Sequence, residues 1–248
     1  MEIINIRGVN FCNVTLDEAA DWVSAVLADS PELPRTVYTP NSEIVQLCIE
    51  QNEYYDLINS ADLIIPDGIG VIKASRILGT PLKEKVAGIE LGERTLAIAA
   101  DKGYSVYFLG AKPGVAEQAA TKMKEKYPAL TVAGIRDGYF KKEGEENEAV
   151  LAEIRAAAPD VLYVCLGVPA QEKWIAANRA ALSPVKLCLA LGGSLDVWAG
   201  NVKRAPKIFI KLGLEWFYRL CCEPRRIGRM MKLPKFLFGT YADKRSKK

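Results

Sequence analysis

Residues 104–127, YSVYFLGAKPGVAEQAATKMKEKY, place an apolar run, a glycine-bounded turn and a helical pattern in direct succession. The apolar run at 104–109 predicts a strand that is buried on both faces. The turn Gly110–Gly114 then leads into a helix predicted over 115–127. A buried strand that leads directly into a helix is typical of a parallel sheet lying between layers of helices.

The same succession recurs along the chain. Further apolar strands are predicted at 35–38, 62–65, 130–135, 161–166 and 186–191. Further helices are predicted at 15–28, where Thr15-Leu-Asp-Glu18 forms a capping box, and at 42–51, 91–102, 145–157 and 171–181. We therefore expect an α/β fold over residues 1–200, with a Rossmann-like, mostly parallel sheet flanked by helices.

Residues 201–248, which we call the tail, differ from the rest in charge. Lys203–Lys248 holds 14 Lys or Arg and 3 acidic residues, whereas the preceding chain holds 19 and 27. An amphipathic helix is predicted at 207–222, and a second helix is expected to begin at Pro224 and to end at Pro234. The final residues, 244–248, are expected to be disordered. We predict a basic, helical C-terminal appendage.

The tail also holds seven of the 21 aromatic residues. Basic and apolar residues together favour binding to an anionic membrane surface. Nucleic acid would satisfy the same electrostatics, but the large apolar content suits lipid better, and no nucleic-acid partner is expected. The remaining alternative is a helix packed on the core with a solvated basic face.

The chain contains no histidine. This excludes Ser-His-Asp and Cys-His catalysis and His-ligated zinc, so any proton transfer must use a carboxylate, Lys, Tyr or Cys. The six cysteines form no CxxC pair and no acidic pair forms a convincing metal loop, so we expect no metal and no cofactor. Because neither a secretion signal nor an apolar run of roughly 20 residues occurs, we expect a cytoplasmic protein.

Candidate site residues follow the predicted strands, because ligands of parallel sheets bind beyond the carboxyl ends of the strands. Asp67, in Pro66-Asp-Gly68, is the first candidate for a catalytic base. The glycines of the 110–114 turn would let backbone N–H groups approach a phosphate, although the chain lacks GxGxxG and GxxxxGK[ST]. Gln171 and Asp196 are suited to gripping sugar hydroxyls or a base edge. Each of these loops is also compatible with a simple turn or helix cap.

Nine segments, taken in order, resemble the WecG/TagA/CpsF glycosyltransferases. They are TPN at 39, PDG at 66, AGIEL at 87, FLGAKPGVAE at 108, DGYF at 137, GVPAQEKW at 167, GGSLDVWAG at 192, VKRAP at 202, and GLEWFYRL at 213 followed by EPRR. The resemblance spans residues 5 to about 232. It includes the tail, so both parts of the chain belong to one pattern.

The resemblance implies an inverting, metal-independent transfer from a UDP-sugar to a polyprenyl-diphosphate-linked, GlcNAc-type acceptor. Such reactions build teichoic acid linkers, enterobacterial common antigen or capsule at the inner face of the bacterial cell membrane. Asp67 would be the general base, and Thr39, Asn41 and Gln171 would line the sugar and acceptor pocket. UDP-sugar binding is expected at Gly110, Gly114, Asp137, Tyr139, Gly167, Gly193, Asp196 and Lys85. Lipid-diphosphate binding is expected at Arg204, Arg219, Arg226 and Arg229.

Two positions depart from the family pattern. Lys85-Val-Ala-Gly88 stands where R-V-T-G is common. The Lys85 ammonium group would contact a phosphate as a point charge, whereas the usual arginine would bind it bidentately. Glu90 replaces the usual Asp. The resemblance leaves the donor open, with N-acetylmannosamine or a related hexose expected, and it is compatible with a homo-oligomer. The alternative function is a catalytically silent, membrane-docked UDP-sugar-binding module.

Overall fold

A computed structural model describes residues 1–222 and 227–246. Its centre is a six-stranded parallel sheet, which confirms the predicted α/β fold. An antiparallel hairpin precedes the sheet and consists of β1 (Ile3–Ile6) and β2 (Val9–Cys12). The sheet strands are β3 (Arg35–Tyr38), β4 (Leu63–Ile64), β5 (Ser105–Gly110), β6 (Thr131–Arg136), β7 (Val161–Cys165) and β8 (Leu187–Ala190). Their spatial order is β4-β3-β8-β7-β5-β6, and every neighbouring pair is parallel.

Helices flank the sheet. Those before the tail are α1 (Leu16–Ala28), α2 (Ser42–Glu50), α3 (Asn52–Asn59), α4 (Ile69–Leu78), α5 (Gly88–Lys102), α6 (Val115–Lys126), α7 (Glu145–Ala157), α8 (Ala170–Asn178) and α9 (Ser194–Trp198). The capping box of α1 is present, because the Thr15 side chain accepts from the Glu18 N–H and the Glu18 carboxylate accepts from the Thr15 N–H. The hairpin, α3, α4 and α9 lie outside the predicted elements. In α3 the buried residues are Tyr54 and Ile58, which lie four positions apart on one face of the helix.

Successive residues of each central strand face opposite layers of the core. In β5, Val106 and Phe108 pack in the layer that contains α1, α5 and α6, whereas Tyr107 and Leu109 pack in the layer that contains α2, α7 and α8. Strands β7 and β8 alternate in the same way and are buried throughout. These strands are apolar throughout in the sequence because both of their faces are buried.

The tail forms four helices among the described residues. They are α10 (Lys207–Lys211), α11 (Glu215–Cys222), α12 (Ile227–Met230) and α13 (Lys232–Ser246). The predicted single helix over 207–222 is wrong, because Gly213 adopts a φ of 68° and breaks it. Among these helices and all others described, none is both long and apolar enough to cross a bilayer.

The predicted stop at Pro234 is also wrong. Pro234 is the third residue of α13. The first N–H groups of a helix have no acceptor within the helix, so proline, which lacks an N–H group, is tolerated there. Residues 244–246 belong to the same helix, so the predicted disorder is wrong for them, while 247 and 248 lie outside the described residues. Pro224, the predicted start of the second tail helix, also lies outside them.

Helix α13 packs on α2 and α4 of the core. Phe236 is fully buried there, and its carbonyl oxygen accepts a 3.3 Å hydrogen bond from the Arg7 guanidinium. Arg7 also pairs with Asp243 at 2.7 Å, and Lys235 pairs with Glu50 at 2.6 Å. The Lys235 hydrogen bond, supported by Gln46, lowers the pKa of Glu50 to about 2. One buried ring and several ion pairs thus hold the end of the tail against the core.

Phe236→Ala should detach α13. Removal of a fully buried Phe side chain costs roughly 3–5 kcal/mol, and an ion pair with a solvent-exposed partner, such as Lys235–Glu50, contributes much less. We expect a lower melting temperature and faster trypsin cleavage within 232–246. Phe238→Ala is the matched control, because that ring is 76% exposed on the same helix. Equal behaviour of the two variants would contradict the assigned anchoring role of Phe236.

Candidate active site

The carboxyl ends of β3, β4 and β8 meet at one side of the sheet and line a cavity of about 480 Å³. Strand β3 lies between β4 and β8, so the loops that follow these three strands are neighbours. Six of the predicted site residues line this cavity: Thr39, Asn41, Asp67, Lys85, Gly193 and Asp196. The parallel topology therefore gathers residues that are up to 157 positions apart in the sequence numbering.

Asp67 stands on the cavity wall directly after β4. Its carboxylate Oδ2 accepts a 3.3 Å hydrogen bond from the backbone N–H of Gly88, the first residue of α5. The positive end of a helix attracts a carboxylate, so this bond orients Asp67 on the cavity wall. Asp67 is half-buried, which keeps its carboxylate accessible to a ligand in the cavity.

Thr39 and Asn41 follow β3 and are oriented by the backbone. The Thr39 hydroxyl donates to the Ala190 carbonyl at 3.2 Å, across to the end of β8. The Asn41 side-chain oxygen caps α2, because it accepts from the N–H groups of Glu43 and Ile44 at 2.9 and 3.1 Å. Asn41 therefore offers its Nδ2 group to the cavity, and Thr39 offers its oxygen as an acceptor.

Gly88 also packs directly against Thr39. A Cβ atom at position 88 would lie 2.9 Å from Thr39 Cγ2 and 3.1 Å from Thr39 Oγ1. Only a residue without a side chain fits at this approach of α5 to the loop after β3. Sequence reasoning did not select Gly88 as a site residue, although it lies in the AGIEL segment.

The tail forms the other wall of the cavity. Its lining residues are Val202, Ile210, Gly213, Glu215, Trp216 and Leu233. Glu215 lies 3.6 Å from the Lys85 ammonium group, and both side chains are about one-fifth exposed. Leu233 belongs to α13, so the docking of that helix helps to shape the cavity. None of these six residues was among the predicted site residues. Their spacing in the sequence indicates which face of a helix they share, but it does not indicate what that face contacts.

The predicted UDP-binding loops after β5, β6 and β7 lie outside the cavity lining, farther along the same edge of the sheet. They hold Gly110, Gly114, Asp137, Tyr139 and Gly167. Backbone hydrogen bonds join these loops, from Ala111 N–H to the Cys165 carbonyl and from Gly138 N–H to the Ala111 carbonyl. A Cβ atom at Gly110 would lie 2.3 Å from the Cys165 carbonyl oxygen, so close packing of β5 and β7 requires glycine there.

Tyr139 projects from this row of loops. The Asp137 carboxylate accepts a 2.7 Å hydrogen bond from the Tyr139 N–H, which stabilises the turn after β6. The Tyr139 side chain is 68% exposed. An exposed aromatic ring beside a glycine-rich strand-to-helix turn is suited to stacking on a nucleotide base.

Gln171 is separated from the cavity. It is only 2% exposed, and its side chain bonds to the Glu172 carboxylate and to the Gly192 N–H. Gly192 precedes Gly193, which does line the cavity. Gln171 is therefore linked to the site through the turn after β8.

The predicted lipid-diphosphate arginines have different outcomes. Arg204 forms an ion pair with Glu90, at the start of α5. Arg219 and Arg229 lie on α11 and α12, but their side chains are outside what the structure describes. Arg226 lies outside the described residues altogether. Within 1–222 and 227–246, no group of three or more acidic or cysteine side chains is placed to hold a metal.

The sequence model of the glycosyl transferase WecG/TagA/CpsF family matches residues 4–248. The chain belongs to this family. The match includes the tail, so the two-walled cavity is formed by one family unit. Of the segments that carry the resemblance, TPN at 39, PDG at 66, AGIEL at 87 and GGSLDVWAG at 192 contribute residues to the cavity lining.

Curated relatives are similar over nearly the whole chain. An N-acetylglucosaminyldiphosphoundecaprenol N-acetyl-β-D-mannosaminyltransferase of Bacillus subtilis is 35% identical over 248 residues, which cover 100% of this chain and 94% of the relative. Proteins with the same name from Bacillus spizizenii and Staphylococcus aureus are 39% identical over 210 residues and 36% identical over 242 residues. These alignments cover 85% and 98% of this chain, and 80% and 93% of the relatives.

The cavity lining combines groups of several chemical kinds. Asp67 supplies an oriented carboxylate that can accept a proton in a chain that has no histidine. Thr39 and Asn41 supply a hydroxyl and an amide group, and Lys85 supplies a cation. The apolar groups of Trp216 and Leu233 supply a surface for the non-polar face of a sugar or for a lipid.

Gly88→Ala should damage the site. The new methyl group would displace either Thr39 or the start of α5. A displacement of α5 would also shift the Gly88 N–H group that binds Asp67. We expect a stability loss of about 1–3 kcal/mol and a fall in glycosyl transfer of roughly 10- to 100-fold. Gly228→Ala is the control, since a Cβ atom there would meet nothing within 4 Å. Wild-type turnover of Gly88→Ala would contradict the described packing.

Proposed function

We propose that this protein transfers N-acetylmannosamine, or a closely related hexose, from a UDP-sugar to a polyprenyl-diphosphate-linked N-acetylglucosamine. The observation that carries the proposal is the position of Asp67 on a cavity lined by both the sheet loops and the tail. The names of the 35–39% identical relatives supply the acceptor and the transferred sugar. The UDP-sugar is a substrate, and we propose no cofactor and no obligatory metal.

The reaction is a single displacement with Asp67 as general base. Asp67 takes the proton of the acceptor hydroxyl, and that oxygen forms a bond to the anomeric carbon of the donor. The bond from the anomeric carbon to the diphosphate oxygen breaks, and UDP leaves with its electron pair. Attack from the face opposite UDP inverts the anomeric configuration. The Gly88 N–H supports this role, because it fixes the carboxylate orientation in the free enzyme.

The donor occupies the edge of the sheet from β8 to β6. Gly193 and Asp196 lie at the cavity, and the row of loops with Gly110, Asp137 and Tyr139 continues from it. In this arrangement Tyr139 stacks on the uracil, and the backbone N–H groups after Gly114 face the diphosphate. Lys85 balances the charge on the leaving UDP, and the diphosphate takes the place of Glu215 as its partner.

The tail brings the cavity to the membrane surface. Apolar side chains of the tail are exposed: Ile208, Leu212, Phe217, Ile227, Met231 and Phe238 are each 45–76% exposed. Together with 14 basic residues, these side chains suit the interface of an anionic bilayer. We place the protein on the inner face of the bacterial cell membrane, where Arg204, Arg219, Arg226 and Arg229 contact the lipid diphosphate.

Asp67→Asn should abolish transfer while UDP binding persists. The amide keeps the shape of the carboxylate but does not accept a proton at neutral pH, so we expect a loss of roughly 100-fold or more in turnover. UDP release is measured from a panel of UDP-sugars with a short-chain GlcNAc-diphosphate-lipid acceptor, and UDP affinity by calorimetry. Wild-type turnover of the variant would exclude Asp67 as the base. UDP binding by the wild-type protein without any transfer would favour the silent binding module.

Replacing both Ile208 and Leu212 with Ser should weaken membrane binding. Ile208 lies on α10 and Leu212 is its C-cap residue, and they are 63% and 66% exposed, so their loss should not disturb the core. We expect at least roughly tenfold weaker sedimentation with anionic liposomes, because two apolar groups no longer enter the bilayer interface. The control is Ile3→Ser, which is 52% exposed on the hairpin far from the tail in sequence. Equal losses in both variants would contradict docking through α10.

A further inference from the structure

Glu172 is a buried carboxylate that the proposed reaction does not use. It lies in the first turn of α8 and is 1% exposed. Its Oε2 accepts a 3.0 Å hydrogen bond from the Tyr54 hydroxyl, and its Oε1 accepts a 2.8 Å bond from Gln171 Nε2. Among the described residues, no Lys or Arg forms an ion pair with it. Burial raises the pKa of Glu172, so the fold retains this group at a cost in stability.

The hydrogen bonds continue from Glu172 to the cavity. Gln171 Oε1 accepts a 2.9 Å bond from the backbone N–H of Gly192, in the turn after β8. Gly193 follows immediately, and Ser194 and Asp196 stand in the first turn of α9, all three on the cavity wall. A continuous path therefore runs from α3 through α8 to the wall of the active site.

The carboxylate decides which way the Gln171 amide points. The two ends of an amide have nearly the same shape, but one end only donates and the other only accepts. In this network both Glu172 oxygens accept hydrogen bonds, from Tyr54 and from Gln171, so Glu172 selects the Nε2 end of Gln171 and leaves Oε1 facing the Gly192 N–H. With the amide reversed, two donors would meet at Gly192 and a buried bond would be lost.

We infer that Glu172 is a positioning residue, which acts through Gln171 to hold the Gly192–Gly193 turn in the shape that the donor requires. Both polar ends of the Gln171 side chain are used inside the protein, and its burial keeps it from direct contact with a ligand in the cavity. The inference about transfer rests on the proposed function. The inference about the turn stands on the hydrogen bonds alone.

An exchange of the two side chains tests this arrangement. In Glu172→Gln the second amide can point either way, so selection of the Gln171 orientation is lost. In Gln171→Glu two carboxylates face each other without a donor between them. In the double variant, Gln171→Glu with Glu172→Gln, the Tyr54 hydroxyl, the new amide and the Gly192 N–H each find an acceptor, so the path is restored with the roles reversed.

Two readouts are taken for each variant. The first is hydrogen exchange of the Gly192 amide in ¹⁵N-glycine-labelled protein, which reports on the turn without any substrate. The second is kcat and KM for the UDP-sugar. For each single variant we expect roughly tenfold faster Gly192 exchange and roughly tenfold lower kcat/KM, with KM for the donor raised. The double variant should recover both values to near those of the wild type.

Asn147→Leu serves as the stability control. Asn147 accepts a 2.6 Å bond from Trp174 Nε1 and donates a 2.9 Å bond to Asn178 Oδ1, so the variant loses two buried hydrogen bonds to α8 without touching Gln171. It should lower the melting temperature and leave Gly192 exchange and donor KM unchanged at 25 °C. Faster Gly192 exchange in this variant would mean that general destabilisation alone opens the turn, and this result would overturn the inference.

The remaining outcomes are also decisive. Unchanged Gly192 exchange in Glu172→Gln would show that Glu172 does not hold the turn. Restored exchange without restored transfer in the double variant would mean that the Gln171 amide contacts substrate directly, which overturns the positioning role. If the wild-type protein transfers no sugar, the proposed function fails, and Gly192 exchange together with UDP affinity still tests whether Glu172 holds the turn for the donor.

Discussion

Burial of the central strands on both faces is the constraint on which the rest of the structure depends. Because β5, β7 and β8 alternate between two apolar layers, they have no polar face that water could solvate. Parallel pairing with helices on both sides satisfies this condition and brings all carboxyl ends to one edge. The candidate site lies at this edge, because the loops after the neighbouring strands β3, β4 and β8 line one cavity there.

The tail completes the site that the sheet begins. Trp216 and Leu233 face the loops after β3 and β4, and α13 is held to the core by the buried ring of Phe236. A single unit therefore combines the proposed chemistry with the proposed membrane contact. This explains why one family pattern extends over residues 4–248 and does not end with the last strand.

Two described cations near the cavity, Lys85 and Arg204, are paired with carboxylates. Lys85 faces Glu215, and Arg204 pairs with Glu90. Each pair joins the region around the start of α5 to the tail, so these contacts connect the two walls of the cavity. A diphosphate that carries more charge than one carboxylate can compete for such cations, and ligand binding and the position of the tail are thereby coupled in the proposed mechanism.

The amino-acid pattern predicted the parallel α/β sheet, the separate character of the tail and the loops in which the site lies. The family resemblance added the assignment of Thr39, Asn41, Asp67, Lys85, Gly193 and Asp196 to that site, and all six line the cavity. Apolar strands and the loops after them are local features that a linear pattern records. Other features became visible only in three dimensions. The Gly88 N–H donates to the Asp67 carboxylate, and Trp216 and Leu233 line the cavity. Gln171 is buried outside the cavity lining. The tertiary structure also decided that Gly213 breaks a helix and that Pro234 stands inside another. These features depend on contacts between segments far apart in the chain, and helical periodicity carries no information about such contacts.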